Sequence, residues 1–304
     1  EDVVVTSSGY LTNVGVIPTV MDRAFLFEHK AKKHIDYGVI FSDEKNHSSI
    51  VDGIRLSHAE RVIYRHADME DLEQKIRPYK DRRKLIVSDA VFSVDGDIAP
   101  LNGLLRVKEE YGALLMFDEA HSFGVLGKKG RGIAEYYNVD PKRVDINMGT
   151  LSKALGSVGG YIAGSKPLID FVRAVASPFV LTAGPIAPAL AAGATKAVEI
   201  LEQHPEIVER LRKNVQYVKK GLDDLHIRYR SNSQIIMIPV GDEQKLGGIA
   251  DELKARGVLV SGMRWPAAPW GDSRVRLSVI ATHEQSHMDQ LLAALGDVKV
   301  SLPD

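Results

Sequence analysis

The sequence lacks cysteine, and it lacks an excess of charge of either sign. With no cysteine among 304 residues, neither a disulfide framework nor thiolate chemistry is possible. The 39 Lys and Arg residues nearly balance the 40 Asp and Glu residues, which gives a formal net charge of −1. Bulk charge therefore gives no reason to expect nucleic acid or a charged membrane surface as a partner.

The sequence also has little that resembles a membrane or export segment. Its longest uncharged stretch, residues 174–195, contains three prolines and many Ala and Gly residues, which make it weakly hydrophobic. We expect a loop that leads into a packed helix there, and no integral membrane segment. The chain opens without the basic and apolar regions of a signal peptide, and we expect a cytoplasmic protein.

Two nucleotide-binding fingerprints and the usual metal-binding patterns are absent. Neither GxGxxG between a strand and a helix nor GxxxxGK[ST] occurs, so dinucleotide and nucleoside-triphosphate binding have little support. No group of His, Asp and Glu has the spacing of a metal site, and we predict no bound metal.

The sequence does contain a regular alternation of short apolar runs and helix-like segments. The runs typical of strands are VVVTS, YGVIFS, RVIYRH, KLIVSDAVF, ALLMFDEA, VDINMGT and GGYIAGS. This alternation favours an α/β fold with a mainly parallel central sheet and helices on both faces. From about Ile186 the pattern changes to amphipathic helices, broken near His204-Pro205, and further strand-like runs. We predict a large domain over residues 1–185 and a smaller α+β domain over residues 186–304.

Polar and reactive residues follow several of the predicted strands. Ligands of open α/β sheets bind beyond the carboxyl ends of the strands, which makes ten residues candidates for one site: Ser8, Gly9, Tyr10, His47, Ser93, Asp118, His121, Thr150, Ser152 and Lys153. Each one alone has a simpler explanation, such as a turn cap, a helix start or a solvated lysine. Their expected position at one edge of a single sheet favours a shared function.

The combination suits the chemistry of pyridoxal 5′-phosphate (PLP). A lysine amine forms a Schiff base with an aldehyde cofactor, and a carboxylate keeps a pyridine nitrogen protonated so that the ring accepts electrons. Hydroxyls and backbone N–H groups at a helix start bind a phosphate. Lys153, Asp118 and the surrounding hydroxyl residues therefore predict a PLP site.

Six motifs, in order along nearly the whole chain, make the sequence similar to a known family. They are SSGYLTN, DEKNHSSIVDG, VFSVDGDIAPL, DEAHSFGVLGKKGRG, GTLSKALGSVGGYIAGS and RVRLSVIATHE. The sequence resembles the α-oxoamine synthases, which are PLP enzymes of fold type I (the aspartate-aminotransferase fold). The resemblance implies a decarboxylative Claisen condensation of a small α-amino acid with an acyl thioester, on CoA or an acyl-carrier protein, to give an α-amino ketone. Compared with the family, we expect the chain to be N-terminally incomplete.

The resemblance also assigns roles to individual residues. Lys153 corresponds to the Schiff-base lysine, and Asp118 to the partner of the pyridine nitrogen. His121 and Ser93 correspond to residues that bond the phenolic oxygen of the cofactor, and His47 to a histidine stacked on the ring. Lys153, Asp118, His121 and His47 form the predicted catalytic set.

The remaining assignments concern the phosphate, the substrate and a second subunit. The residues that resemble the family's phosphate-binding positions are Ser8, Gly9, Tyr10, Thr150 and Ser152. Thr182 resembles a hydroxyl residue that reaches the phosphate from the other subunit, which implies a homodimer with its active site at the subunit interface. Arg276 matches an arginine that holds the amino-acid carboxylate.

Other functions fit part of the same pattern. An aminotransferase or a retro-Claisen lyase of fold type I is an alternative, since the fold alone does not settle the reaction. A non-catalytic partner subunit is a second alternative, although the presence of Lys153, Asp118 and His121 argues against it. We interpret Glu119 as having no role in cofactor binding. The motifs do not identify the amino acid or the acyl chain.

Overall fold

The computed structural model describes residues 1–22, 36–176 and 186–298. Within these ranges the chain forms two compact units. The described residues of Glu1–Val91 and Ala99–Gln203 form the first unit, and those of Phe92–Ile98 and His204–Asp304 form the second.

The first unit is built on a seven-stranded sheet. Its described strands are β1 (Asp2–Thr6), β2 (Val39–Asp43), β3 (Glu60–Tyr64), β4 (Lys84–Asp89), β5 (Leu114–Asp118), β6 (Ile146–Thr150) and β7 (Gly160–Gly164). Across the sheet they lie in the order β1-β7-β6-β5-β4-β2-β3. The five strands from β6 to β3 pair in parallel, whereas β7 is antiparallel to both of its neighbours. The prediction of a mainly parallel sheet is confirmed.

Helices cover both faces of this sheet, as predicted. The described helices of the unit are α1 (Gly9–Asp22), α2 (Ser48–Leu56), α3 (Met69–Ile76), α4 (Leu101–Tyr111), α5 (Ile133–Tyr136), α6 (Lys166–Val175) and α7 (Pro188–Gln203). Leu85 and Val87 of β4 share a hydrophobic core with Ile17 of α1 and Ile50 of α2. Ile86 points to the opposite face, because strand side chains alternate, and it too is fully buried.

A glycine brings α1 and α2 close together beside the site described below. A Cβ atom on Gly53 of α2 would lie 2.7 Å from the backbone oxygen of Asn13 and 3.1 Å from Cδ1 of Ile17. Any side chain at Gly53 would therefore collide with the backbone of α1. The missing side chain allows the polar residues of the two helices to meet.

The second unit has an α+β organisation, as predicted. Its described elements are α8 (Glu206–Asp224), β8 (Ile235–Gly241), α9 (Glu243–Ala255), β9 (Ser261–Met263), β10 (Ser273–Ser278) and α10 (Gln285–Val298). β10 lies between β8 and β9 and is antiparallel to both. β8 and β10 supply buried apolar side chains, among them Ile236, Ile238, Val275 and Leu277.

The helix break near His204-Pro205 is confirmed, because α7 ends at Gln203 and α8 begins at Glu206. The predicted domain boundary near residue 185 falls at the end of residues 177–185, which lie outside the described residues. The first compact unit extends beyond it to Gln203, since Ala194 of α7 packs with Leu151 and Leu155. The division into domains 1–185 and 186–304 stays a prediction.

No helix within residues 1–22, 36–176 and 186–298 combines the length and the apolar composition that a bilayer crossing requires.

Candidate active site

The carboxyl ends of the central strands place acidic and hydroxyl side chains side by side. Asp43, Asp89, Asp118 and Thr150 are the last residues of β2, β4, β5 and β6. Asp89 lies directly opposite Asp118 in the parallel register. These strand ends form the edge at which open α/β sheets bind their ligands.

Asp118 is a buried carboxylate held by two N–H donors. It is 4% exposed. Its Oδ2 accepts a hydrogen bond of 2.8 Å from Nδ2 of Asn13, and its Oδ1 accepts one of 2.9 Å from the backbone N–H of Ala120. Hydrogen bonds from neutral donors favour the charged form of a carboxylate. Asp118 is thus prepared to hold a negative charge inside the protein.

His47 begins α2 and uses its ring as a helix cap. Nδ1 accepts the backbone N–H of Ser49 at 3.2 Å and lies 2.7 Å from Oγ of Ser49. The ring keeps a solvent-exposed surface, but the desolvation of its inner side lowers the pKa of His47. The charge of Asp118 opposes this shift, and the charge of Lys153 reinforces it. His47, Asp118 and Lys153 therefore lie within electrostatic reach of one another.

Lys153 lies in the turn that follows β6. It is exposed, and its backbone oxygen accepts the N–H of Gly156 at 3.1 Å. Its positive charge lowers the pKa values of both His47 and Asp89, although burial is the largest influence on each of them. The charge of the Lys153 amine thus influences titratable groups at the strand ends, where the buried carboxylates lie.

Hydroxyl groups and a helix start meet at the end of β6. Oγ1 of Thr150 and Oγ of Ser152 are 2.8 Å apart. α1 starts at Gly9, where a Cβ atom would lie only 3.1 Å from both Cβ and Oγ1 of Thr150. Oγ of Ser8 accepts the N–H of Leu11 at 3.2 Å. Backbone N–H groups and hydroxyls are therefore collected in one small area.

Tyr10 contributes to this area through its backbone only. Its exposed side chain is turned to α2, where the hydroxyl donates a 2.9 Å hydrogen bond to Oδ2 of Asp52. This hydrogen bond raises the pKa of Tyr10. The predicted role of Tyr10 at a phosphate accordingly rests on its position in the first turn of α1.

Three residues that the sequence analysis did not select belong to this cluster. Asn13 bonds Asp118, as described above, and Ser49 bonds both Asn13 and His47. Oδ2 of Asp89 accepts the backbone N–H of His47 at 2.8 Å. Burial, followed by the charge of Asp118, raises the pKa of Asp89 well above its ordinary value.

Glu119 and His121 lie in the turn after β5. Glu119 is buried, accepts the Ser122 hydroxyl, and accepts the backbone N–H of Ile133 at 3.1 Å. Burial raises the pKa of Glu119 to about 7, against the effect of these hydrogen bonds. His121 is partly exposed, three residues after Asp118. The interpretation of Glu119 as a residue without a role at the cofactor stays a prediction.

Ser93 and Arg276, two of the predicted site residues, belong to the second unit. Nε of Arg276, on β10, donates a 2.8 Å hydrogen bond to the backbone oxygen of Ser93. Arg276 is partly buried, and desolvation lowers the pKa of its guanidinium. Thr182 lies outside the described residues.

The donor set of the first unit fits PLP. Lys153 can supply the amine that an aldehyde requires, and Asp118 can supply the buried carboxylate that a pyridine nitrogen requires. A phosphate requires hydroxyls and the N-terminus of a helix, which are Thr150, Ser152 and the start of α1. The absence of a side chain at Gly9 keeps this start open beside Thr150.

Comparisons with known proteins give the same result. Residues 1–295 match the family described as "Aminotransferase class I and II". The 8-amino-7-oxononanoate synthase of Symbiobacterium thermophilum is 41% identical over 98% of this chain and 73% of its own length. The 8-amino-7-oxononanoate synthase 1 of Bacillus subtilis is 39% identical over 96% of this chain and 71% of its own length.

Solved structures extend the likeness to the fold. The serine palmitoyltransferase (SPT) of Sphingomonas wittichii has a TM-score of 0.89 and 31% identity, over 100% of this chain and 74% of that chain. A structure of SPT with PLP has a TM-score of 0.89 and 30% identity, over 99% of this chain and 73% of that chain.

These matches agree with the geometry of the site. The chain is a PLP-dependent C-acyltransferase that condenses a small α-amino acid with an acyl thioester and releases carbon dioxide. The cofactor, the reaction and the fold type predicted from the sequence are confirmed. The chain belongs to the aminotransferase class I and II family and, within it, to the PLP-dependent α-oxoamine synthases.

Proposed function

We propose that this chain condenses alanine with a seven-carbon acyl thioester whose far end is a carboxylate. The name of the product in its relatives, 8-amino-7-oxononanoate, supports this choice. The methyl carbon and the amine-bearing carbon of that product are what alanine leaves after losing carbon dioxide. The ketone and the six carbons beyond it then come from the acyl thioester.

The observation that supports the proposed mechanism is the chain of hydrogen bonds from Asp118 through Asn13 and Ser49 to His47. PLP, when bound, supplies an electron sink for the bond that breaks at Cα of the amino acid. Lys153 would hold the cofactor aldehyde, and its amine would serve as the base that accepts the Cα proton. Asp118 holds the proton of the pyridine nitrogen with its ionised carboxylate, which Asn13 and Ala120 stabilise.

We assign the remaining residues of the first unit to cofactor binding. His47 stacks on the ring, and His121 bonds the phenolic oxygen of the cofactor, as the family resemblance implies. The phosphate is bound by the hydroxyls and by the start of α1, through Ser8, Gly9, Tyr10, Thr150 and Ser152. The close pair of Thr150 and Ser152 hydroxyls supports this assignment.

The two residues of the second unit are assigned from the resemblance. Arg276 binds the carboxylate of the amino acid through its terminal nitrogens, because a guanidinium fork suits bidentate recognition. Its Nε bond to the Ser93 backbone sets the plane of that fork. Ser93 bonds the phenolic oxygen of the cofactor through its side chain.

We further propose a cytoplasmic homodimer in which each active site uses residues of both subunits. The basis is the resemblance of Thr182 to a residue that reaches the phosphate of the other subunit. CoA and an acyl-carrier protein are both suitable carriers of the acyl group.

The experiment is a product analysis of the purified protein with PLP. Alanine and the seven-carbon ω-carboxy acyl-CoA are expected to give 8-amino-7-oxononanoate, with one carbon dioxide and one thiol released per product. Formation of a 2-oxo acid without thiol release would identify an aminotransferase and overturn the proposal.

A second substrate pair has structural support. SPT structures match this chain with a TM-score of 0.89, and the name of that enzyme indicates serine and a palmitoyl group. The same assay with serine and palmitoyl-CoA separates the two pairs. The proposal predicts that the alanine pair gives the larger kcat/KM.

A further inference from the structure

A chain of hydrogen bonds joins the carboxylate of Asp118 to the ring of His47. Nδ2 of Asn13 lies 2.8 Å from Oδ2 of Asp118 and 2.9 Å from Oγ of Ser49. Oγ of Ser49 in turn lies 2.7 Å from Nδ1 of His47. Asn13 and Ser49 are fully buried, so the contacts of Asn13 with Asp118 and Ser49 are shielded from water.

The chemistry of Asp118 fixes the orientation of the Asn13 amide. An amide nitrogen has two hydrogens to donate, whereas its oxygen only accepts. A flipped amide would place Oδ1 against the carboxylate of Asp118 and lose both donors. In the observed orientation Oδ1 is buried without a hydrogen-bond partner. Both hydrogens of Nδ2 are therefore committed, one to Asp118 and one to Ser49.

The backbone N–H of Ser49 decides the direction of the next hydrogen bond. Nδ1 of His47 accepts this N–H at 3.2 Å, so Nδ1 carries no hydrogen of its own. The Ser49 hydroxyl, whose oxygen accepts from Asn13, then donates its single hydrogen to the same nitrogen at 2.7 Å. A ring nitrogen that accepts two donors carries a lone pair, so the proton of the neutral ring lies on Nε2.

We propose that Asn13 and Ser49 are positioning residues that hold His47 as the neutral Nε2–H tautomer and tie its ring to Asp118. The inference rests on the proposed function, because it concerns the residues to which that function assigns the cofactor ring. A neutral imidazole stacks on a protonated pyridine ring without the repulsion that two cations would suffer. The tautomer also leaves Nε2–H as the donor at the outer end of the ring.

The charges around His47 are consistent with a neutral ring. Burial is the largest influence and lowers its pKa. Lys153, after β6, lowers the pKa further, whereas Asp118 on β5 and Asp52 on α2 raise it. Asp89 on β4 contacts His47 through the backbone N–H. The net shift favours the uncharged ring at neutral pH.

The test is ¹⁵N NMR of the PLP-loaded protein with labelled histidine. His47→Gln identifies the two ring signals of His47, because they disappear from its spectrum. In the parent protein at neutral pH, we expect an unprotonated Nδ1 and a protonated Nε2. This measurement needs no activity, so it separates a failure of the tautomer assignment from a failure of the proposed function.

Two variants test the positioning residues themselves. Ser49→Ala keeps the backbone donor but removes the hydroxyl, and Asn13→Leu removes both amide donors at similar volume. Both are expected to give mixed tautomers and a higher His47 pKa, with a lower kcat and little change in KM. Ser88→Ala is the matched control, since the buried Ser88 hydroxyl donates to the backbone of Asp89. A protonated Nδ1 in the parent, or parent-like tautomer ratios and pKa in Ser49→Ala, would overturn the proposal.

Discussion

Asp89 and Asp118 lie directly opposite each other at the carboxyl ends of two neighbouring parallel strands. Two buried carboxylates this close disfavour a second negative charge. Asp118 receives two N–H donors from Asn13 and Ala120. Burial and the charge of Asp118 raise the pKa of Asp89 well above its ordinary value. A proton on Asp89 would leave the negative charge at Asp118, the residue that we propose as the partner of the pyridine nitrogen.

The protonation of Asp89 gives the first prediction. Infrared spectra of the PLP-loaded protein are expected to retain the C=O band of a protonated carboxyl at a pH two units above the pKa of Glu119, which is about 7, so that both Glu119 and the exposed Asp residues are ionised. Asp89→Asn should remove this band. Asp145→Asn is the matched control, because Asp145 binds the Leu115 N–H at the other end of β5. A band that persists in Asp89→Asn would assign the proton to a different residue.

The second prediction concerns Asp118, whose charge the account requires at the cofactor. Asp118→Asn keeps the shape of the side chain but removes that charge, so the cofactor should bind while turnover falls by a factor of about 100 or more. The rate of Cα-deuterium exchange from labelled alanine measures the affected step directly. An exchange rate equal to that of the parent would contradict the role of Asp118.

The third prediction concerns the pH dependence of stability at Glu119. Its pKa is about 7 in the folded protein, against an ordinary value of 4.5. The folded state therefore holds this proton more tightly. The contribution of protonated Glu119 to the free energy of unfolding is fully present below pH 4.5. This contribution is lost as the pH rises to about 7, by roughly 3 kcal/mol in all.

Glu119→Gln should remove that loss. The free energy of unfolding of the variant, relative to the parent, is expected to rise between pH 5 and pH 8. Denaturant unfolding at both pH values measures the difference. Glu109→Gln, at an exposed residue of α4, is the control and should give no such rise. If the difference in the free energy of unfolding between the parent and Glu119→Gln were the same at pH 5 and pH 8, the raised pKa of Glu119 would be refuted.

The fourth prediction concerns the contact of α1 with α2. Gly53→Ala would place Cβ 2.7 Å from the backbone oxygen of Asn13, so the helices must separate. We expect the free energy of unfolding to fall by about 1–3 kcal/mol. We also expect weaker activity, because Asn13 and Ser49 would move apart.

A second helical glycine provides the control for this prediction. Nothing lies within 4 Å of a Cβ atom on Gly193 of α7, so Gly193→Ala should be neutral or stabilising by up to about 1 kcal/mol. Thermal unfolding and kcat of both variants give the comparison. Equal stability of Gly53→Ala and Gly193→Ala would show that the helix contact is not tight.

The sequence was sufficient to predict the mainly parallel sheet and two of the site residues that end its strands. Asp118 and Thr150 each close an apolar run, and Lys153 follows the second of these runs. Asp89 was missed for a local reason. KLIVSDAVF is one continuous strand-like run in the sequence, whereas β4 ends at Asp89, so the pattern points to Ser93 beyond the run and not to Asp89 within it.

Asn13 and Ser49 were missed for a different reason. They are 36 residues apart and meet only because α1 and α2 pack closely, which depends on a single glycine, Gly53. Helical periodicity identifies an amphipathic face but not the helix that it contacts. The assignment of Phe92–Ile98 to the second unit is likewise a tertiary property, and no local pattern in the sequence indicated it.

The central claim is that Lys153 binds PLP covalently. The protein loaded with PLP should be yellow, and borohydride should abolish this colour and fix the cofactor to the chain. Mass spectrometry of the digested protein should then locate the reduced cofactor on Lys153 alone, and Lys153→Ala should show neither the colour nor turnover. Reduced cofactor on another lysine, or parent-like condensation by Lys153→Ala, would contradict the account.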